Sequence, residues 1–182
     1  YQGLDYYVME FASGELLADR IKEGKTTREE LEDSADFMGV LHRALETKGL
    51  PERDYARSII EKLNTAKIPQ QTIEKIDSSI NVVIESLEGI LKVCNLDSHP
   101  RNRIVDEFGG IVGIDLEIDR IIPVTMDTAN LLDQTTRISY GEKEHILDVH
   151  LNALKIEVDR SLYHLAYLNS VVIRALEIYS QV

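Results

Sequence analysis

The chain has 182 residues, enough for one domain or one lobe of a larger protein, and 43% of them are hydrophobic, which is sufficient to build a core. With 32 acidic residues against 20 basic ones the formal net charge is −12, which excludes nucleic acid as a main partner, because phosphate-backbone binding needs a basic stripe, and leaves neutral or cationic small molecules as the easier ligands. Cys94 is the single cysteine, so an internal disulfide is excluded, and no apolar run approaches the roughly 20 residues of a membrane span; a reducing, cytoplasmic setting away from the membrane is expected.

In chain order, the sequence opens YQGLDYYVMEF, without an initiator Met or a signal-like segment, and reads as a piece of something longer. Tyr6 to Phe11 reads as a buried strand whose sheet neighbours lie upstream and whose bare edge would favour self-association. The Ala12-Ser13-Gly14 turn leads into a short predicted helix from Glu15 to Lys22. Thr26 with Glu29, or Thr27 with Glu30, makes a capping box for the next helix. There Leu31, Ala35, Met38, Leu41 and Leu45 repeat at helical spacing, and Gly49 supplies the stop. A third helix is expected from Asp54 to Ala66, and a fourth after Pro69, with Ile73, Ile76, Ile80, Val83 and Leu87 on one stripe before Gly89.

The period then changes. Leu91 to Leu96 is a short apolar run, followed by the polar loop around Asp97, and Arg103 to Val105 leads through Asp106-Glu107-Phe108-Gly109-Gly110 into Ile111 to Ile114, the pattern of a β-hairpin with a glycine turn. From Gly141 the pattern is helical again, first around Ile146 to Leu154 and then in a long helix ending near Tyr179. The predicted class is mainly α with a small β element, an α+β fold without repeats.

The stretch VCNLDSHPRNRIVD, Val93 to Asp106, gathers more donors and acceptors than a loop between strands needs. A hairpin brings its two ends together, so Asn102 at the entry and Asp115 at the exit can approach one point and offer the hard oxygens that a divalent cation takes. Mg²⁺ uses one or two carboxylates and leaves its other positions to water and substrate phosphates. Asp97, just upstream, would then face a metal-bound phosphate and touch an incoming hydroxyl. His99 reads better as a hydrogen-bonded structural histidine than as a ligand, His145 and His150 are five apart and do not share a helix face, and Cys94 reads as a small core residue.

Taken together, these residues resemble a family. V-C-N-L-D-S-H-P-R-N-R-I-V-D followed by I-V-G-I-D-L-E is similar to the H-G-D-x-x-x-x-N and I-D-x-E segments of the aminoglycoside phosphotransferase and choline kinase group, relatives of protein kinases. Asn95 stands where that family usually has His. Val8-Met9-Glu10-Phe11 with Gly14 resembles the segment linking the two kinase lobes, Leu41-His42 the end of the following helix, and Pro123 to Leu132 the P-x-x-x-D-x-A-N-L-L stretch, with Asp127 in the acidic place.

The resemblance implies a protein-kinase-like C-terminal lobe over residues 15–182, with residues 1–14 as lobe linker and hinge and no N-terminal nucleotide lobe in the chain. It implies Asp97 as the catalytic residue, Asn102 and Asp115 on Mg²⁺, and the base of ATP or GTP resting at Met9 and the backbone of Glu10 and Ala12. The expected activity is transfer of a γ-phosphoryl group to the hydroxyl of a small molecule. Two other readings remain open at this point: a kinase-like binding or scaffold protein without turnover, motivated by Asn95, and a metal-dependent phosphohydrolase using Asp97, Asp115 and Asp119.

Overall fold

Two side chains decide where the first long helix begins. Thr27 Oγ1 accepts the Glu30 N–H at 3.2 Å, and Glu30 Oε2 accepts the Thr27 N–H at 3.1 Å, so of the two capping boxes legible in the sequence it is the second that closes. The computed structural model describes residues 12–44, 61, 68–87, 99–115, 124–135 and 137–179. Among these the elements run β1 (Glu15–Leu16), α1 (Leu17–Glu23), α2 (Arg28–Ala44), α3 (Gln70–Leu87), a 3-10 turn (Pro100–Asn102), β2 (Arg103–Val105), β3 (Ile111–Gly113), α4 (Val124–Asp133), α5 (Tyr140–Leu154) and α6 (Arg160–Tyr179). The fold is mainly α with one small antiparallel sheet.

The sheet has the order β1-β2-β3, with Glu15 opposite Val105 and Leu16 opposite Ile104, and with Ile104 opposite Val112 in the hairpin. Glu15 and Leu16 thus belong to a strand and not to the start of a helix. Their conformation is set by pairing with β2, a partner some ninety positions away, which local periodicity does not register. Gly14 is needed at this crossing. Its φ is +151° and a Cβ there would lie 2.2 Å from the carbonyl oxygen of Val105, so only glycine lets the incoming chain reach the strand.

Leu31, Ala35 and Met38 of α2 are fully buried, as their spacing predicts, and pack with Ile146, Leu147 and Leu154 of α5 and with Leu131, Leu132 and Tyr163 of α4 and α6. α2 and α5 approach closely because Gly39 faces them together: a Cβ on it would stand 2.5 Å from Ala153 Cβ. Around the start of the chain, Arg20 ties three elements. It bonds Glu15 of β1 at 2.8 Å and Glu30 of α2 at 2.5 and 3.2 Å, so Glu30 serves both the helix cap and the ion pair. α3 begins after Pro69 and buries Ile73. The expected strand Tyr6 to Phe11, the helix Asp54 to Ala66 apart from Glu61, and the run Leu91 to Leu96 lie outside the described residues.

Among the described residues no helix is long and apolar enough to cross a membrane.

Candidate active site

The hairpin is built to hold its open end still. At the closed end Asp106 Oδ1 accepts the N–H groups of Phe108 (2.9 Å) and Gly110 (2.7 Å), and Gly109 takes the left-handed conformation, φ +84°, that the turn requires. At the open end the Ile114 N–H donates to the Asn102 carbonyl at 2.9 Å, and the Asn102 amide nitrogen donates to the backbone carbonyl of Asp115 at 3.4 Å. The two residues therefore meet at the hairpin mouth. With the amide nitrogen turned to Asp115, the side-chain oxygen of Asn102 is the atom of that amide with the chemistry to ligate a cation, beside the exposed Asp115 carboxylate.

Asp115 has φ +49°, a conformation that costs most side chains about 1 kcal/mol and that Asp tolerates better than most. One carboxylate and one amide oxygen fit a hard cation such as Mg²⁺, which completes its shell with water and phosphate; they do not make a zinc site. Among the described residues no three His, Cys, Asp or Glu side chains converge on a metal position.

The loop ahead of the hairpin is pinned by His99. Its Nδ1 accepts the Arg101 N–H at 3.2 Å and caps the 3-10 turn, so its proton sits on Nε2, which faces the Gln134 side-chain amide at 2.5 Å; the amide oxygen is then the atom that belongs there. His99 is a structural histidine. Asp97, Met9 and Glu10 lie outside the described residues, while Ala12 stands just before the glycine crossing onto β2.

Beneath the hairpin lies a polar chain that sequence reasoning did not find. Arg103, directly after Asn102, is fully buried, stacks over the Phe37 ring at 5.9 Å and feels the charge of Asp127; burial pulls its guanidinium down to about 10. His42 Nε2 lies 2.9 Å from Asp127 Oδ2, His42 Nδ1 lies 3.0 Å from His150 Nε2, and His150 Nδ1 meets the Tyr163 hydroxyl. A carboxylate only accepts, so His42 Nε2–H donates to Asp127, and the chain runs on from His42 through His150 to the Tyr163 hydroxyl. Burial first, then the His42 and Arg103 charges, hold the His150 pKa well below its ordinary value, and burial raises that of Tyr163. His145, by contrast, is exposed and 3.2 Å from Glu32, so the two histidines of α5 do lie on different faces.

The chain is similar to a choline kinase. The solved structure of choline kinase LicA from Streptococcus pneumoniae aligns with it at 19% identity and a TM-score of 0.49, covering 85% of this chain and 57% of that one. The chain thus spans little more than half the length of that protein. No family model matches the sequence, and no curated protein does.

Proposed function

We propose that the chain is the catalytic-loop lobe of a nucleotide-dependent phosphotransferase acting on the hydroxyl of a small molecule. The observation that carries this reading is the hairpin mouth, where Asn102 and Asp115 are hydrogen-bonded to each other and Asp115 keeps a left-handed backbone. Asn102 and Asp115 would hold Mg²⁺, which neutralises phosphate charge when bound. Asp97 orients the acceptor hydroxyl and receives its proton, in the role that the resemblance to aminoglycoside phosphotransferases and choline kinases gives it. Ala12, with Met9 and Glu10, borders the nucleotide base. The acidic surface suits a cationic or neutral acceptor better than an anionic one in this role.

The left-handed backbone at Asp115 dictates the test. Alanine there would be strained, whereas Asp115→Gly removes the carboxylate and suits the conformation. In the full-length protein this variant should melt no lower than the parent and lose Mg²⁺-dependent binding of ATP or GTP by calorimetry. Binding that keeps its metal dependence sinks the metal assignment. Asp97→Asn should keep nucleotide affinity and lower kcat by about 10² or more; turnover within a few-fold of the parent removes Asp97 from the chemistry.

A further inference from the structure

A cavity opens between the turn joining α1 to α2 and the connection from α4 to α5, with neither Asn102 nor Asp115 in its lining. Its volume is about 230 Å³, and its walls include Thr26, Arg28, Gln134 and Arg137 above an apolar floor of Ile21 and Ile138. The charge here departs from the rest of the molecule. In a chain with 32 acidic residues against 20 basic, Arg137 forms no ion pair among the described residues, although it stands at the cavity.

Its position is fixed by its neighbour. Gly24 caps α1 with φ +71°, and a Cβ on it would lie 1.5 Å from Arg137 Nη1, so the guanidinium rests on bare backbone. Thr26 Oγ1 is shielded from solvent and meets no partner among the described residues, an arrangement that an incoming polar group would complete. Glu142 also lines the cavity and keeps its charge, with Oε2 turned to the Ser139 N–H and O–H at 2.7 Å each, and Glu32 pairs with Arg28, so among the described residues Arg137 is the cation left to an incoming anion.

We infer that this cavity binds a small amphipathic oxyanion, with a phosphate or carboxylate head on Arg137 and Arg28 and a short hydrocarbon body on Ile21 and Ile138. A guanidinium offers such a head paired donors in one plane, and a half-apolar floor favours a ligand with a few methylenes over a bare ion. Gln134 lines the cavity and also bonds His99, so the site is two hydrogen bonds from the turn that carries Asn102.

The test is calorimetry on the full-length protein without Mg²⁺, at constant ionic strength, with inorganic phosphate, n-butyl phosphate and pentanoate. Butyl phosphate or pentanoate should bind several-fold more tightly than inorganic phosphate, and whichever of the two is tighter identifies the head group. Arg137→Gln should weaken that binding about tenfold, the loss of one charge-assisted contact, while Lys155→Gln, a cation outside the cavity, should leave it unchanged. Absence of binding, an unchanged affinity in Arg137→Gln, or equal losses in both variants overturns the inference. Binding that persists in Asp115→Gly separates this site from the hairpin mouth; binding lost in Asp115→Gly places the anion there and also overturns it.

Discussion

At the scale of the residue, His150 carries the clearest solution consequence. Its folded pKa lies below the ordinary value of about 6.5, so the unfolded chain binds the proton more readily. The sign follows: the stability linked to this group is fully present above about pH 6.5 and is lost as the pH falls from there toward the lower folded value, at about 1.4 kcal/mol per unit of pKa difference. Urea unfolding across this window should show the fall, and His150→Gln, which keeps a hydrogen-bonding amide beside His42 but cannot titrate, should flatten it; an equally steep fall in the variant would locate the acid sensitivity elsewhere. None of this could be read from the sequence. His42 and His150 are 108 positions apart, and spacing along one helix says only that His145 and His150 face different ways, as they do. Asn102 and Asp115 were legible because a tight hairpin turns sequence distance into spatial proximity.

At the scale of the element, the contact between α2 and α5 depends on Gly39. One turn along from it, His42 reaches His150, and one turn along from Ala153, His150 reaches back, so the close approach and the hydrogen bond are one feature. Gly39→Ala would press a methyl group against Ala153 Cβ and the His150 carbonyl at 2.5 and 2.8 Å, and should destabilise the fold by about 2 kcal/mol despite the better helix propensity of alanine. Thermal unfolding checks this: a variant as stable as the parent would mean that the helices can separate freely. The helices legible in the sequence were the short α1, read from the turn before it, and those with one wet face, α2, α3, α5 and α6. α4 carries no such signal, since Val124 to Leu132 are all buried and offer no periodic alternation; that stretch stood out only through its resemblance to a family motif. The two-residue β1 failed for the opposite reason, being too short for any pattern and fixed by a distant partner.

At the scale of the whole molecule, the net charge of −12 opposes compactness, while an ion pair such as Lys25 with Glu23 is exposed and worth little. Melting temperature should therefore rise from low salt to about 0.15 M, where the Debye length shortens to about 8 Å. A fall would show that the Arg20 clamp on Glu15 and Glu30 outweighs the repulsion. Composition sufficed to expect a core, and helical periodicity an α-rich fold; what they could not convey is the order in which such a fold assembles. Strand β2 has one partner a few residues downstream and another some ninety positions upstream. The local pairing closes a short loop on a timescale of about microseconds, whereas the distant one must wait until much of the helical body has brought the ends together. A chain halted part-way would own the Asn102–Asp115 mouth without a seat for the segment after Ala12. Completion of folding, and not hairpin formation, is then the moment at which the two halves of the proposed nucleotide–metal site come to exist in one molecule.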